Sequence, residues 1–532
     1  MAVADYVIVG AGSAGCVLAN RLSEDPEVRV LLLEAGGPDR HPNIKIPAAF
    51  ANQFHTALDW DFATEPEPHC DGRSLYIPRG KALGGSSSMN AMLYVRGRPL
   101  EYDLWEAQGA AGWGWKHVRP YFLKAEDNAR GASEHHAVGG PLRVEDLRSP
   151  RPLTRRFLEA CAAAGIPRID DYNGTEQDGA SPCQVNQRGG RRWSAADAYL
   201  RPAMRRRNLE VLTRRHVLGV VLEGGRAVGV RVADRRGRVS VVRAEREVIL
   251  SAGAICSPQL LMLSGIGPAD HLREHGIEVA VDLPEVGENL QDHPYATCVW
   301  DCVVPESLYG ADRPRPLLEW VLRRTGPLTS TVAEAFAFVR SRPGLPAADL
   351  QYHFAPAYFV RNGSETYDGH AFTTGPVLIT PKSRGQVRLR SADPAAKPAI
   401  TTNTLAERED VEALVTGIER AREIVAQEPL ASAAGRELLP GPDVGGRQDL
   451  EAWLRANVEL LYHPSGTVAM GGEDRPLDPE LRVRGVEGLR VVDASVFPVI
   501  PGGNTNAPTM MVAERAADLI RGGVAAPAGA RG

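Results

Sequence analysis

The stretch from Asp5 to Gly36 constrains this chain more than any other. Asp5 to Val9 is a short apolar run rich in β-branched residues, and it enters Gly10-x-Gly12-x-x-Gly15. Cys16, Val17, Leu18, Ala19 and Leu22 then follow at helical spacing, so the order reads strand, tight turn, helix. Gly10 permits the turn, Gly12 lets backbone N–H groups approach a pyrophosphate, and Gly15 lets the helix pack on the strand. A second apolar run, Val28 to Leu33, ends in Glu34, a carboxylate placed to accept hydrogen bonds from ribose hydroxyls. A lone GxGxxG is a weak signal. Strand, glycines, helix, strand and terminal acid in one unit predict a dinucleotide site rather than a bare structural turn.

At 532 residues the chain exceeds the size at which one core stops growing, which predicts two domains. Sixty-one basic against 66 acidic residues give a net charge of -5, so there is no electrostatic case for nucleic acid as a partner. The short basic patches Arg205 to Arg207 and Arg235 to Arg238 read as solvated turns. No apolar run approaches the ~20 residues that span a bilayer, and Met1 leads into a strand without a basic, hydrophobic leader. The seven cysteines include no C-x-x-C pair, and their odd number reads as reduced thiols. The expectation is a cytoplasmic protein without a transmembrane segment; oligomeric state and peripheral membrane association stay open.

Along the chain, Trp60 is the first aromatic placed to cover a cofactor or simply to pack. The run RGKALGGSSSMNAMLYVRG, Arg79 to Gly97, supplies small residues, N–H donors and hydroxyls suited to close approach by a phosphate or a planar ring, or to a flexible loop. Trp105, Trp113, Trp115 and Tyr121 read as core under a helix-turn-helix, and Ser133 to Gly140 as a surface loop or a lid. Helices are expected over Leu153 to Ala164 and Ser194 to Met204. Short strands follow over Leu209 to Arg215, His216 to Leu222, Ala227 to Val232 and Val239 to Val242. EVILSAGAICSPQLLMLSGIG then gives a strand, a small-residue crossing at Ser251 to Ala254, and a helix. His271-x-x-Glu274-His275 matches a zinc-peptidase pattern literally, but Gly276 ends the helix at once and no third ligand accompanies it, so no metal site is expected. From Cys298 to Leu461 strands (Glu334 to Arg340, Asp349 to Phe354, Gly375 to Thr380, Gly385 to Leu389) alternate with helices (Glu407 to Ala426, Asp449 to Asn457), which predicts an antiparallel sheet with segregated helices. The Ala-, Gly- and Pro-rich last ten residues are expected to fray.

The fingerprint, the Arg79 to Gly97 run, GAICSPQLLMLSGIG, and a tail containing HPSGT and GNTNAPTMM together resemble the glucose-methanol-choline (GMC) family of FAD-dependent oxidoreductases. The likeness covers nearly the whole chain, four motifs occur in the family's order, and the choline dehydrogenase-like and alcohol dehydrogenase-like branch is nearest. The resemblance implies an α/β fold. A discontinuous Rossmann-type FAD-binding domain (1–153, 195–297 and 465–532) is joined to an α+β substrate domain (154–194 and 298–464) with an antiparallel sheet flanked by helices. It implies FAD-contacting residues in five stretches: Gly10, Gly12, Ser13, Ala14 and Gly15; Glu34, Ala35 and Trp60; Arg79, Leu83, Gly84, Gly85 and Ser86; Asn90, Ala91, Met92 and Leu93; and Val217, at the adenine, with Ala252 and Gly253. Asp493 and Ala494 are implied near the ribityl and pyrophosphate portion and Asn506 near the pyrimidine end, with Asn504 and Thr505 also among the cofactor contacts. Met89 stands where some relatives carry a histidine joined covalently to the flavin. A thioether cannot make that linkage, so the FAD is expected to be dissociable.

Alcohol oxidation needs a base for the hydroxyl proton while hydride leaves the carbon. His463 has that chemistry because imidazole titrates near working pH, and Asn504 can hydrogen-bond the same oxygen. The resemblance pairs these two residues as catalytic. The helix after Asn506 offers a positive N-terminal end to negative charge on a reduced flavin. The expected reaction is an alcohol oxidised to aldehyde or ketone, with electrons passed to a quinone-like acceptor or O₂. Two alternatives are a lyase (hydroxynitrile) or light-driven decarboxylation on the same scaffold, and a binding protein with a vestigial flavin site. The substrate is unreadable. Phe336, Phe338, Tyr352, Phe354, Tyr358 and Phe359 form either an aromatic wall or sheet core, and Glu334 is a weak candidate partner for a quaternary ammonium.

Overall fold

The computed structural model describes residues 3–522; the terminal residues expected to fray, 523–532, lie outside them. The strand Val3–Val9 sits inside a seven-stranded sheet because both of its faces are apolar. It pairs in parallel with Val30–Glu34 on one side and with Val239–Leu250 on the other. Leu209–Thr213 extends the sheet beyond Val30–Glu34, and Leu489–Val491 adds a parallel partner to Val239–Leu250. His216–Glu223 and Arg226–Ala233 complete it as an antiparallel hairpin. Two separately expected runs, Val239 to Val242 and the EVIL segment, are one twelve-residue strand. It bonds antiparallel neighbours near its start and parallel ones near its end, so one strand carries both patterns.

Two helices pack together against this sheet, Ser13–Leu22 and Asn506–Ile520. Met510, Met511, Ala513 and Ala517 of the second helix are buried in the core that also holds Val17 and Leu18 of the first. A polar tie accompanies the apolar one: Arg21 donates twice to the buried Glu514 carboxylate, at 2.7 and 2.8 Å, and Tyr199 donates to the same group. Gly15 is required where helix and strand touch, since a Cβ there would lie 1.9 Å from the Gly10 carbonyl oxygen. Trp105 and Trp113 are fully buried in this core, while Trp115 and Tyr121 are half-buried at its edge.

The second sheet has six strands, in the order Glu459–Leu460, Pro294–Tyr295, Pro376–Leu378, Leu350–Phe354, Ala335–Val339 and Gly179–Pro182, all antiparallel. Helices Pro152–Ala163 and Arg408–Val425 cover it. Phe336, Phe338, Tyr352 and Phe354 are buried in this layer. Gln386–Arg388, within the strand expected at Gly385 to Leu389, pairs with Ala399–Thr401 as a separate hairpin instead of joining the sheet. The helix expected over Ser194 to Met204 is a π turn, Ala196–Leu200, followed by Arg201–Ala203. Pro202 explains the break in part, since it carries no N–H to continue the ladder.

The Ser133 to Gly140 segment is not a free loop, because its centre is anchored. His136 is buried, with Nδ1 3.1 Å from Glu126 and Nε2 2.7 Å from Asp171. None of its residues lines the cavity described below, so it is not the lid that was one of its two readings.

Candidate active site

A cavity of about 570 Å³ opens between the two sheets. Its wall begins at the fingerprint. Glu34 stands at the end of its strand, where one carboxylate oxygen accepts the Ala11 N–H at 2.8 Å and the other the Gly36 N–H at 2.7 Å. Burial pushes Glu34 up to about 6, against those two donors. Beside it, Trp60 lies under the Lys81 ammonium, 4.3 Å from the ring centroid, with the His216 ring against its edge. Lys81 is a wall residue that the sequence did not single out, because a lysine between two glycine-containing turns carries no pattern of its own.

The two helix N-termini meet at the next part of the wall. Neither Ser13–Leu22 nor Asn506–Ile520 has a side-chain cap on its first N–H groups. The Ser13 hydroxyl donates to Asn506 Oδ1 at 2.7 Å, joining the two ends. Two positive helix ends with unused donors form a place for phosphate or other negative charge. The loop Gly85–Ser88 closes over Gly12: a Cβ on Gly85 would lie 2.6 Å from the Gly12 Cα, and its φ is +50°. This wall fits FAD, since it offers free N–H donors for the pyrophosphate, Glu34 for a ribose, and side-chain-free surface where the cofactor must come close.

Of the FAD-contacting residues expected from the sequence, all but Gly15, Leu83 and Gly84 line the cavity. These three stand one layer behind. Gly15 sits under Gly10, the Leu83 carbonyl accepts the Ser88 hydroxyl at 2.7 Å, and the Gly84 N–H donates to Ala11 O at 2.7 Å. Asp493 lines the wall but holds protein: it accepts from Gly253 N–H at 2.8 Å, the Ser257 hydroxyl at 2.6 Å and Ser495 N–H at 2.8 Å. Asn90 is held by Arg192, whose Nη1 donates to Asn90 Oδ1 at 2.9 Å and to the Ser87 carbonyl at 3.1 Å. Burial pushes that guanidinium down to about 9. Arg192 lies a hundred residues from the loop it supports, so no local motif reveals it.

At the far end the cavity is lined by His463 and Asn504. Asn504 Nδ2 lies 3.3 Å from His463 Nε2, and His463 Nδ1 lies 3.0 Å from Nδ1 of His293. Assigning the Asn504 amide nitrogen as the donor leaves Nε2 as acceptor and places the His463 proton on Nδ1, facing His293. Both backbones are clamped by one group: Asp292 Oδ1 accepts the N–H of His293 and of His463, each at 2.7 Å. Arg79 donates to the Tyr462 carbonyl, and Tyr462 itself has φ +65°. A tyrosine held in the left-handed region directly before His463 is local strain kept in place by its neighbours.

Burial drives His463 well below the ordinary imidazole range, helped by the nearby His293, His353 and Arg79. Burial likewise takes His293 down to about 3, although the Ile379 backbone favours its protonated form. Ile379 biases the ring without completing a hydrogen bond, because His293 Nε2 has no partner of full geometry. Burial also pushes Asp292 up to about 7, opposed by the two histidine N–H groups and by Arg79.

The rest of this end is aromatic. Phe50 packs against Phe54 and Phe359, and Phe54 against Tyr462; Tyr295, His353 and the turn Thr331, Val332 and Ala333 complete the wall. Of the six aromatics expected as wall or core, only Phe359 lines the cavity. Glu334 does not: it is buried and accepts from Thr154, Ser330 and the Arg151 N–H. His271 of the zinc-like pattern accepts the Leu389 N–H at 3.0 Å, and its helix ends at Glu274.

The GMC oxidoreductase N-terminal model matches residues 4–295, and its C-terminal model residues 381–513. An oxygen-dependent choline dehydrogenase of Brucella ovis is 44% identical over 527 residues, 98% of this chain and 96% of its own length. Among solved structures, pyridoxine 4-oxidase from Mesorbium loti is 34% identical with a TM-score of 0.89, covering 97% of this chain and 98% of that one. A formate oxidase of Aspergillus oryzae, studied for its FAD modification, is 28% identical with a TM-score of 0.92, covering 98% of each chain. On the matched models, the relatives and the wall that suits FAD, the chain belongs to the GMC oxidoreductase family of FAD-dependent enzymes.

Proposed function

We propose that this enzyme oxidises an alcohol to an aldehyde or ketone with His463 as the base. The single observation that carries this reading is the His463 environment: an imidazole kept neutral by burial, with Nδ1 engaged by His293 and Nε2 beside Asn504 at the aromatic end of the cavity. Bound FAD supplies a hydride acceptor. The substrate hydroxyl takes the place of the Asn504 amide at His463 Nε2, donating to Nε2 and accepting from Asn504 instead, so that the two side chains fix the oxygen and thereby the direction of the C–H bond. His463 then takes the hydroxyl proton at Nε2 as the carbonyl forms. The aromatic wall excludes water from that transfer, and the paired helix ends would favour negative charge on a cofactor held there.

Residues 1–153, 195–297 and 465–532 form the FAD-binding part, and 154–194 and 298–464 the substrate part. This division is supported by the sheet to which most of their strands belong. Met89 lines the cavity and offers no nucleophile to the flavin, which supports a non-covalent cofactor. Electrons pass on to a quinone-like acceptor or to O₂. No described helix is long and apolar enough to cross a membrane, and seven unpaired cysteines support a cytoplasmic location.

The test is an anaerobic titration of the purified holoenzyme with a panel of alcohols, followed by air. Bleaching of the oxidised flavin bands by some alcohol, abolished in His463→Ala, establishes the reading, and the speed of recovery in air separates oxidase from dehydrogenase. A fully loaded enzyme that no alcohol bleaches overturns it in favour of the lyase or photochemical alternative.

A further inference from the structure

The helix Pro314–Arg323 is turned inside out. Its apolar side chains Leu317, Leu318, Val321 and Leu322 share one face by their spacing, and they are 43%, 58%, 50% and 71% exposed. The side that meets the protein is the other one. Trp320 is the helix's buried residue, and its indole N–H donates to the Gly190 carbonyl at 2.9 Å. A surface helix ordinarily buries its apolar stripe and shows its polar one. Here Val303 and Tyr309, on the chain just before the helix, are exposed as well.

The charge around the stripe has one dominant sign. Arg313, Arg315 and Arg323 are exposed and Arg324 follows at the helix end, over the Trp320 ring, while Arg188 and Arg191 lie at the Gly190 docking point on the helix's other side. Arg191 is close enough to Arg324 to lower its pKa by repulsion, after burial. Against the four arginines of residues 312–324 the same segment carries Asp312 and Glu319, and Glu319 is engaged by the Thr325 hydroxyl at 3.0 Å. Arg315 and Arg323 have no ion-pair partner among the described residues. A positive patch thus stands on a protein whose net charge is -5.

We propose that this face docks on an anionic membrane surface, with the four apolar side chains entering the interface and the arginines meeting lipid phosphates. Apolar side chains ringed by arginine are what an interfacial helix presents, and each part contributes separately: apolar area to insertion, charge to attraction. A second copy of the chain fits less well. A two-fold contact sets a patch against itself, and would place one set of arginines beside the other. The location adds a consequence. The helix packs on the turn Pro327–Thr329, which leads directly to Thr331, Val332 and Ala333 in the cavity wall. A bilayer held there lies beside the segment that closes the aromatic end of the site.

The experiment is co-sedimentation of the full-length holoenzyme with phosphatidylcholine vesicles, with and without phosphatidylglycerol, at low and high salt, alongside light-scattering mass in solution. The expected result is binding to the anionic vesicles at least about tenfold tighter than to the neutral ones and weakened by salt. The double variant Leu318→Glu/Leu322→Glu loses it, and Arg315→Gln/Arg323→Gln weakens it, with FAD absorbance intact in both. Absence of binding to anionic vesicles at low salt overturns the proposal, as does binding that these variants leave unchanged. A dimer in solution that becomes monomeric in Leu318→Glu/Leu322→Glu also overturns it, assigning the face to a second copy instead.

Discussion

His293 and His463 meet Nδ1 to Nδ1 at 3.0 Å, with their ring planes 83° apart. Two neutral imidazoles can share that contact only if one carries a proton at Nδ1 and the other does not. Because Asn504 donates to His463 Nε2, the proton belongs to His463, and His293 is the acceptor that keeps it there. If His463 is the base as proposed, His293 is a positioning residue that reserves Nε2 as the basic atom. His293→Leu should lower kcat about ten- to a hundredfold with little change in KM and full FAD content, while His293→Asn, which restores an acceptor, should recover part of the rate. Equal loss in both variants, or loss of FAD, would assign His293 to structure alone.

His463→Ala should cost about 10²–10⁴ in kcat, the range of a missing general base. The acid limb of kcat/KM should lie below the ordinary imidazole value of 6.5, because burial holds the folded group down. Rate should thus persist as pH falls through 6.5 and disappear only in more acid solution, once His463 takes a proton. A stopped-flow pH profile of flavin reduction reads this directly.

Gly85→Ala should strip the enzyme of FAD. The new Cβ would lie 2.6 Å from the Gly12 Cα, and φ is +50°, so the loop and the fingerprint must part. Absorbance at the flavin bands relative to protein, with circular dichroism to confirm the fold, checks this outcome.

Asp292→Ala should destabilise the protein by about 2–4 kcal/mol, since it removes the shared acceptor of two buried N–H groups. It should also lower activity, because both histidines lose the same anchor. Denaturant unfolding and steady-state rates, measured on one preparation, give both readings.

The pH dependence of stability carries a signature of His136. Burial opposes its charge, but hydrogen bonds to Asp171 and Glu126 outweigh that and raise it to about 9. The folded state then binds more protons than the unfolded one between about 6.5 and 9. Its contribution is fully present below 6.5 and is lost as pH rises through 9, by about 2 kcal/mol at most. Thermal unfolding across this window should show a falling midpoint that His136→Gln flattens.

Much of this was legible because local pattern and tertiary role coincide at the fingerprint. The glycines, Glu34 and the two flanking strands lie within one short segment, and their spacing alone implies a shape. His463 and Asn504 were legible only through the motifs around them. What stayed hidden was whatever acts across long separations. Arg192 reaches back to Asn90, His293 to His463, and Lys81 to Trp60, and none of these residues sits in a periodic or spaced pattern that announces a partner. The two readings of the aromatics, wall or sheet core, could not be told apart in the sequence for the complementary reason. Alternation along a strand shows which residues share a face, but Phe336 and Phe338 face core, and which face borders the cavity depends on what packs there. The inverted helix Pro314–Arg323 is amphipathic in sequence, and periodicity alone assigns its apolar side to the wrong environment.

The bond between the Ser13 hydroxyl and Asn506 joins residues 493 positions apart in the chain. The first strand, turn and helix supply only one of the two helix ends in this wall, and the other comes with Asn506–Ile520. A chain that lacks Asn506–Ile520 leaves the candidate nucleotide cradle open on that side.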